Sequence, residues 1–172
     1  MTTWPQLTHD CSACAALCCL ALAFDRGDMF AIDKPAGLPC PNLGPGGACS
    51  IHNDLTAKGF AGCVGYGCQG AGQRVTQELF GGQSWQDQPK LAQPMIEAFR
   101  ALRQVHDLLA MLRAAEALPL NDAQAARHRD LIAALIPTEG WSTAALDAFL
   151  TGPLPAQVQA FFTSLRDIAR QK

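Results

Sequence analysis

The stretch Cys11-Ser12-Ala13-Cys14-Ala15-Ala16-Leu17-Cys18-Cys19 decides how the rest of the chain is read. It places four thiols within nine residues. Four more follow at Cys40, Cys49, Cys63 and Cys68, and none comes after Cys68 in a chain of 172 residues. A buried cysteine behaves as a small hydrophobe and could sit anywhere in a core. Eight confined to the first part of the chain point to a shared task, most simply a metal or metal–sulfur centre.

Electrostatics narrows that task. Between residues 11 and 68 the cations are Arg26, Lys34 and Lys58, against the acids Asp25, Asp28, Asp33 and Asp54. Eight thiolates packed together there would repel strongly, so either most stay protonated or a metal neutralises them. Two zinc ions, each with four sulfurs, is one solution. An iron–sulfur cluster on four cysteines, with the others on a second centre or held in reserve, is another. Copper(I) suits the soft donors but ranks below both. His52, three residues after Cys49, is a candidate partner for a coordinated sulfur, and His9 a weaker one.

Composition bounds the function classes. The net charge is −2 and no block of Lys or Arg occurs, so no basic field for nucleic acid is expected. Cys11 to Phe24 is apolar, but residues 1–10 carry no Lys or Arg, so a signal peptide is not expected. The same stretch is too short to span a bilayer. The expectation is a cytoplasmic protein with reduced thiols and no membrane partner. Disulfides would use Cys18-Cys19 poorly, because adjacent cysteines pair only under strain.

Working outward, Thr8 or Asp10 reads as the cap of a helix from Cys11 to Phe24. On such a helix Cys11, Cys14 and Cys18 share one face and Cys19 points away. Cys11 would then lie in the first turn, where the positive helix end favours the thiolate. Met29–Ile32 and Ala48–Ile51 are the candidate strands of a small β-hairpin. Residues 33–47, with Pro35, Pro39, Pro41 and Pro45, read as loop. His52 to Phe60 suggests a short helix, and Gly62 to Gly72 an irregular segment whose glycines admit backbone N–H groups to the sulfurs. Val75 to Phe80 adds a helical turn, and residues 81–93 look like a linker.

From Pro94 the pattern turns helical. Ile96, Phe99, Leu102, Leu109 and Leu112 form an apolar stripe ended by Pro119. Asn121 with Gln124 is a capping-box start for a helix stopped by Pro137. Ser142 caps a third helix, with Trp141 and Leu146 in staple positions, and Pro155 suits the first turn of a fourth. His106 falls on the stripe, where a hydrogen-bonded core histidine is expected. The fold class expected is mainly α: a cysteine-rich, metal-stabilised module over 1–88, packed on a bundle of about four helices over 89–172.

No enzyme motif stands out. Gly70-Ala71-Gly72 lacks the Lys-Ser/Thr of a phosphate loop, and Asp54 and Glu78 do not form a convincing acid/base pair. No serine nucleophile motif is present. Whether the chain is an enzyme is left open by the sequence.

The run Cys-x2-Cys-x3-Cys-Cys is followed by Pro39-Cys40-Pro41-Asn42-Leu43, by Cys49-Ser50-Ile51-His52, and by Gly59-Phe60-Ala61-Gly62-Cys63 through Cys68. This order resembles the CxxCxxCC superfamily, the YkgJ-like proteins, described as zinc- or iron-chelating or as containing iron–sulfur clusters. Gly67 to Gln73 with Val75-Thr76 is also similar to cysteine-rich modules that accompany some pentapeptide-repeat proteins, although this chain has no such repeat. The resemblance covers about residues 9–80. It departs from the shortest family pattern in the three residues between Cys14 and Cys18, and in His52 where an aromatic is common. It implies metal ligation by Cys11, Cys14, Cys18, Cys19, Cys40, Cys49, Cys63 and Cys68. An iron–sulfur cluster for electron transfer or sensing, with a protein redox partner, ranks first. A structural zinc module that binds a protein partner is the alternative, and a cluster-dependent enzyme or copper(I) handling comes third.

Overall fold

A computed structural model describes residues 3–169. The fold is mainly helical. Its helices are α1 Leu17–Ala21, α2 Ala61–Gly65, α3 Ala71–Arg74, α4 Ala92–Ala115, α5 Asp122–Leu135, α6 Thr143–Thr151, α7 Leu154–Ser164 and α8 Arg166–Ala169. Among the described residues, no helix is long and apolar enough to cross a membrane.

α4 is the axis of the molecule. Its 24 residues repeat apolar side chains at helical spacing, and Met95, Phe99, Leu102, Val105, Leu109 and Leu112 are all buried. α1 and α3 pack on it from the first half of the chain, and α5 and α6 from the second. One apolar cluster therefore runs from Leu17, Leu20 and Val75 through α4 to Leu131, Leu146, Val158 and Leu165.

The boundaries of the second half follow local chemistry. Asn121 and Gln124 form the expected capping box at α5: the Asn121 side chain accepts from Gln124 N–H at 2.9 Å, and Gln124 Oε1 accepts from Asn121 N–H at 3.0 Å. Ser142 Oγ accepts from Ala145 N–H at 3.1 Å to cap α6, and Pro153 and Pro155 flank the start of α7. Trp141 packs edge-on to Phe149 and donates its ring N–H to Leu135 O at 3.2 Å.

The first half departs from several expectations. The single helix from Cys11 to Phe24 does not form. Asp10 does cap, accepting from Ser12 N–H at 3.0 Å, but it opens only a 3-10 turn over Cys11–Ala13. Cys14 is extended, Ala16 is left-handed at φ 52°, and α1 begins only at Leu17. The cause lies in residues 73–85. Gln73 takes Asp10 N–H at 2.9 Å, Thr76 takes Ala15 N–H at 3.0 Å, Gln77 donates to Ala13 O at 2.9 Å and Trp85 donates to Ala15 O at 2.7 Å. Backbone groups that a helix would have paired internally are satisfied by distant side chains instead. A non-glycine left-handed residue costs on the order of 1–3 kcal/mol and is held by its surroundings.

The expected hairpin is also absent. Residues 29–32 and 48–51 form no strands, and isolated antiparallel bridges join Phe24 to Lys34 and Leu43 to Cys49. Phe30 turns inward to stack on Phe24 at 4.2 Å and meet Phe60 edge-on at 6.4 Å, while Met29 O accepts from Gly62 N–H. That aromatic cluster, rather than a ladder, holds residues 24–34 and 60–62 together. His52–Asp54 is a 3-10 turn rather than the start of a helix. The segment expected to be irregular contains α2 and the start of α3, and Val75–Leu79 winds as a π-turn. Residues 81–93 are not a free linker, because Trp85 and Gln86 bond back to Ala15 and Gly44.

Candidate metal centre

Cys18 and Cys19 are placed by α1. Leu17, Leu20 and Ala21 occupy the buried face of this helix against α4. The two cysteines fall on the remaining arc and are half-buried, with their sulfurs 4.0 Å apart. Cys40 is brought to the same helix by its N–H, which donates to Cys19 O at 3.0 Å. Leu43 N–H then bonds to Cys40 O, and the Leu43–Cys49 bridge carries Cys49 alongside. Cys63 lies in α2, whose start is fixed by the Phe24–Phe30–Phe60 cluster.

Cys14 and Cys68 both border Gly72. A Cβ at Gly72 would stand 2.7 Å from Cys14 Sγ and 3.7 Å from Cys68 Sγ. Glycine is therefore the residue that leaves these two sulfurs their space. Gly70, left-handed at φ 82°, turns the chain from Cys68 into α3 at a point where a Cβ would strike Gln6 O at 2.2 Å.

Cys18 acts electrostatically on Cys11, Cys14 and Cys63. Burial raises the Cys11 thiol first, and negative charge at Cys18, Cys68 and Asp10 adds to it. The expected lowering by a helix N-terminus is thus reversed, since Cys11 begins a three-residue turn with little dipole. Burial pushes Cys14 up to about 11, with Cys18 and Cys68 acting in the same direction, while Leu17 N–H and the Thr76 hydroxyl oppose it. Cys18 is raised far more, by its contact with Cys19 and by burial. Cys63 rises through burial and then through Cys18, Cys40 and Cys49. All eight cysteines enter these interactions, and all eight are free of disulfides.

They do not collapse onto one point. Among the described residues, no three His, Cys, Asp or Glu side chains stand close enough together to hold one ion. The sulfur–sulfur contact among them is Cys18 with Cys19, while Cys14 and Cys68 both border Gly72. His52 is exposed on its 3-10 turn, with only its backbone N–H tied to Cys49 O, and His9 is exposed beside Gly67. His106 is fully buried. Arg74 can only donate, so His106 Nε2 accepts from it at 3.1 Å, and Nδ1 carries the proton donated to Gln69 O.

Two groups around the thiols escape a reading of the sequence. Tyr66 is pushed up to about 12 by burial, against the opposing Arg103 guanidinium, which donates to its hydroxyl at 2.8 Å. Lys34 is buried to 3% exposure at the end of α1. The one signal for Lys34 in the sequence is the scarcity of cations among the cysteines.

The cysteines are free of disulfides and come from several segments, and the thiols of Cys11, Cys14, Cys18 and Cys63 are raised. Compared with known proteins, the chain is similar to the uncharacterized protein YybG of Bacillus subtilis (strain 168), with 43% identity over 119 residues. The match covers 69% of this chain and 42% of the relative, so this chain spans under half of that protein's length. No family model matches the chain, and no solved structure matches it.

Proposed function

We propose that this chain is a metal-binding protein whose cysteines hold a thiolate-ligated iron–sulfur centre serving electron transfer or sensing. The observation that carries this reading is a set of eight free thiols in which the sulfurs of Cys18 and Cys19 lie 4.0 Å apart and those of Cys14 and Cys68 both border Gly72. Without a cation, burial favours the protonated thiols of Cys11, Cys14, Cys18 and Cys63. With one, their lone pairs become bonds. A cluster keeps inorganic sulfide and several irons between its thiolates, so it is held by a wider ring of sulfurs than a single ion. When bound, a cluster supplies a one-electron couple. Cys11, Cys14, Cys18 and Cys68 are the residues assigned to hold it, with Cys19, Cys40, Cys49 and Cys63 available to a second centre. The Cys11–Cys19 run, with its likeness to the CxxCxxCC proteins, points the same way.

A structural zinc site is the second reading, favoured by one distance. Two sulfurs on one tetrahedral zinc lie ~3.8 Å apart for bonds of about 2.3 Å, close to the Cys18–Cys19 spacing. Anaerobic purification, metal and sulfide analysis and a visible spectrum separate the two. Iron with acid-labile sulfide and visible absorption is the result expected. Colourless protein with zinc moves the chain to the second reading, and intact thiols with neither metal reject both.

A further inference from the structure

The sulfurs of Cys18 and Cys19 lie 4.0 Å apart, close enough for one thiol to donate to the other. Their backbone is fixed on two sides. Leu17, Leu20 and Ala21 bury the opposite face of α1. Leu22 N–H donates to Cys18 O at 3.3 Å, and Cys40 N–H donates to Cys19 O at 3.0 Å. Both cysteines are half-buried rather than enclosed, so a small molecule reaches them.

A direct bond between adjacent cysteines needs a sulfur separation of about 2.05 Å and strains the peptide between them. A single bridging atom with a bond to each sulfur spans the pair with far less movement. Three features of the site say what that atom must be. It must be soft, to prefer sulfur. It must be content with two sulfurs, because among the described residues no three His, Cys, Asp or Glu side chains stand close enough to hold one ion. It must also react with neutral thiols, since the Cys19 contact and burial both disfavour a thiolate at Cys18. Trivalent arsenic bearing one carbon substituent meets all three demands. Its third bond is already made, and it condenses with thiols to a product without charge.

We propose that Cys18 and Cys19, with their sulfurs held 4.0 Å apart on α1, form a binding site for monosubstituted trivalent arsenicals. The oxide RAs=O takes both thiols: two As–S bonds form, two S–H bonds and the arsenic–oxygen bond break, and the two protons leave with the oxygen as water. Arsenic stays trivalent and sulfur is not oxidised, so no oxidant or reductant enters. Ring closure costs little conformational freedom, because α1 already holds the second sulfur beside the first. Inorganic arsenite, whose third position seeks another thiol, is served less well by this pair. The inference uses two sulfurs alone and does not rest on the metal-binding reading.

The test titrates reduced, metal-free protein with phenylarsine oxide under nitrogen, in excess glutathione, for wild type, Cys18→Ala and Cys19→Ala. The titration is repeated with sodium arsenite. Intact mass gives the adduct, thiol titration the sulfurs consumed, and fragmentation of the wild-type adduct its position. The result expected is a single tight adduct on wild type that consumes two thiols, maps to Cys18 and Cys19, and is removed by a small competing dithiol. Affinity should fall about a hundredfold in either variant, the scale by which a tethered second contact adds to binding. Unchanged affinity in either variant, a fragment map that bridges other cysteines, or arsenite held as tightly as phenylarsine oxide overturns the inference. Where a variant does not fold, the fragment map of the wild-type adduct decides.

Discussion

Gly72 and Cys14 approach so closely that a Cβ on the glycine would stand 2.7 Å from the cysteine sulfur. The contact joins two parts of the chain far apart in sequence. Cys14 is extended between the 3-10 turn and Ala16, while Gly72 sits in the short helix after Cys68. Gly72→Ala must push Cys14 Sγ away or shift α3, and overpacking of this kind costs about 1–3 kcal/mol. Metal content per chain is expected to fall in this variant. A thermal melt of the metal-free form separates loss of fold from loss of the site, and unchanged metal content would refute the placing of Cys14 at the centre.

Trp85 helps hold the cysteine run in its non-helical path, donating to Ala15 O alongside the bonds of Gln73, Thr76 and Gln77. Trp85→Phe keeps most of the ring and removes the donor, for an expected cost of about 1–2 kcal/mol. The loss should be accompanied by faster hydrogen exchange at residues 11–16. A variant with wild-type urea midpoint and exchange would show that the bond does not constrain this segment.

His106 connects α4 to the loop after Cys68. His106→Ala removes a fully buried ring and leaves Gln69 O without its donor, at an expected cost of about 3 kcal/mol. Equilibrium urea unfolding measures this. A loss below about 1 kcal/mol would contradict the buried, doubly bonded histidine.

Stability of the metal-free protein is expected to fall at both ends of the pH scale. Burial, with the Arg74 charge in the same direction and Gln69 O opposing, holds His106 below its ordinary 6.5. Below that pH the unfolded chain takes up a proton that the folded chain refuses, so stability falls as pH drops through this range. Cys14 is the reverse. Its thiol is raised from 9.0 to about 11, so the unfolded chain ionises first and stability falls as pH rises from 9 toward 11. Urea midpoints against pH check both limbs. Cys14→Ala should make the alkaline limb shallower, with the raised Cys11, Cys18 and Cys63 thiols keeping the rest of it, and His106→Ala should flatten the acid one; variants that reproduce the wild-type curve would reject these assignments.

The second half of the fold is legible in the sequence because its signals are local. The Asn121–Gln124 capping box, the Ser142 cap and the stripe on α4 each act within a few residues of the element they define. The first half is not legible in the same way. Cys11 to Phe24 has helix-forming composition, yet Gln73, Thr76, Gln77 and Trp85 capture its backbone from more than sixty residues away. Phe30 looks like strand material until Phe24 and Phe60 are seen around it. The candidate cysteines stand out in the sequence, but the placing of Cys14 and Cys68 beside Gly72 and the burial of Lys34 depend on tertiary packing.

The most direct test of the account is the metal content of the chain purified without oxygen, measured for wild type and Cys18→Ala side by side. Iron and sulfide bound to wild type and strongly reduced in Cys18→Ala is the result predicted. Full metal content in the variant, or a wild-type protein with eight free thiols and no bound metal, would contradict it.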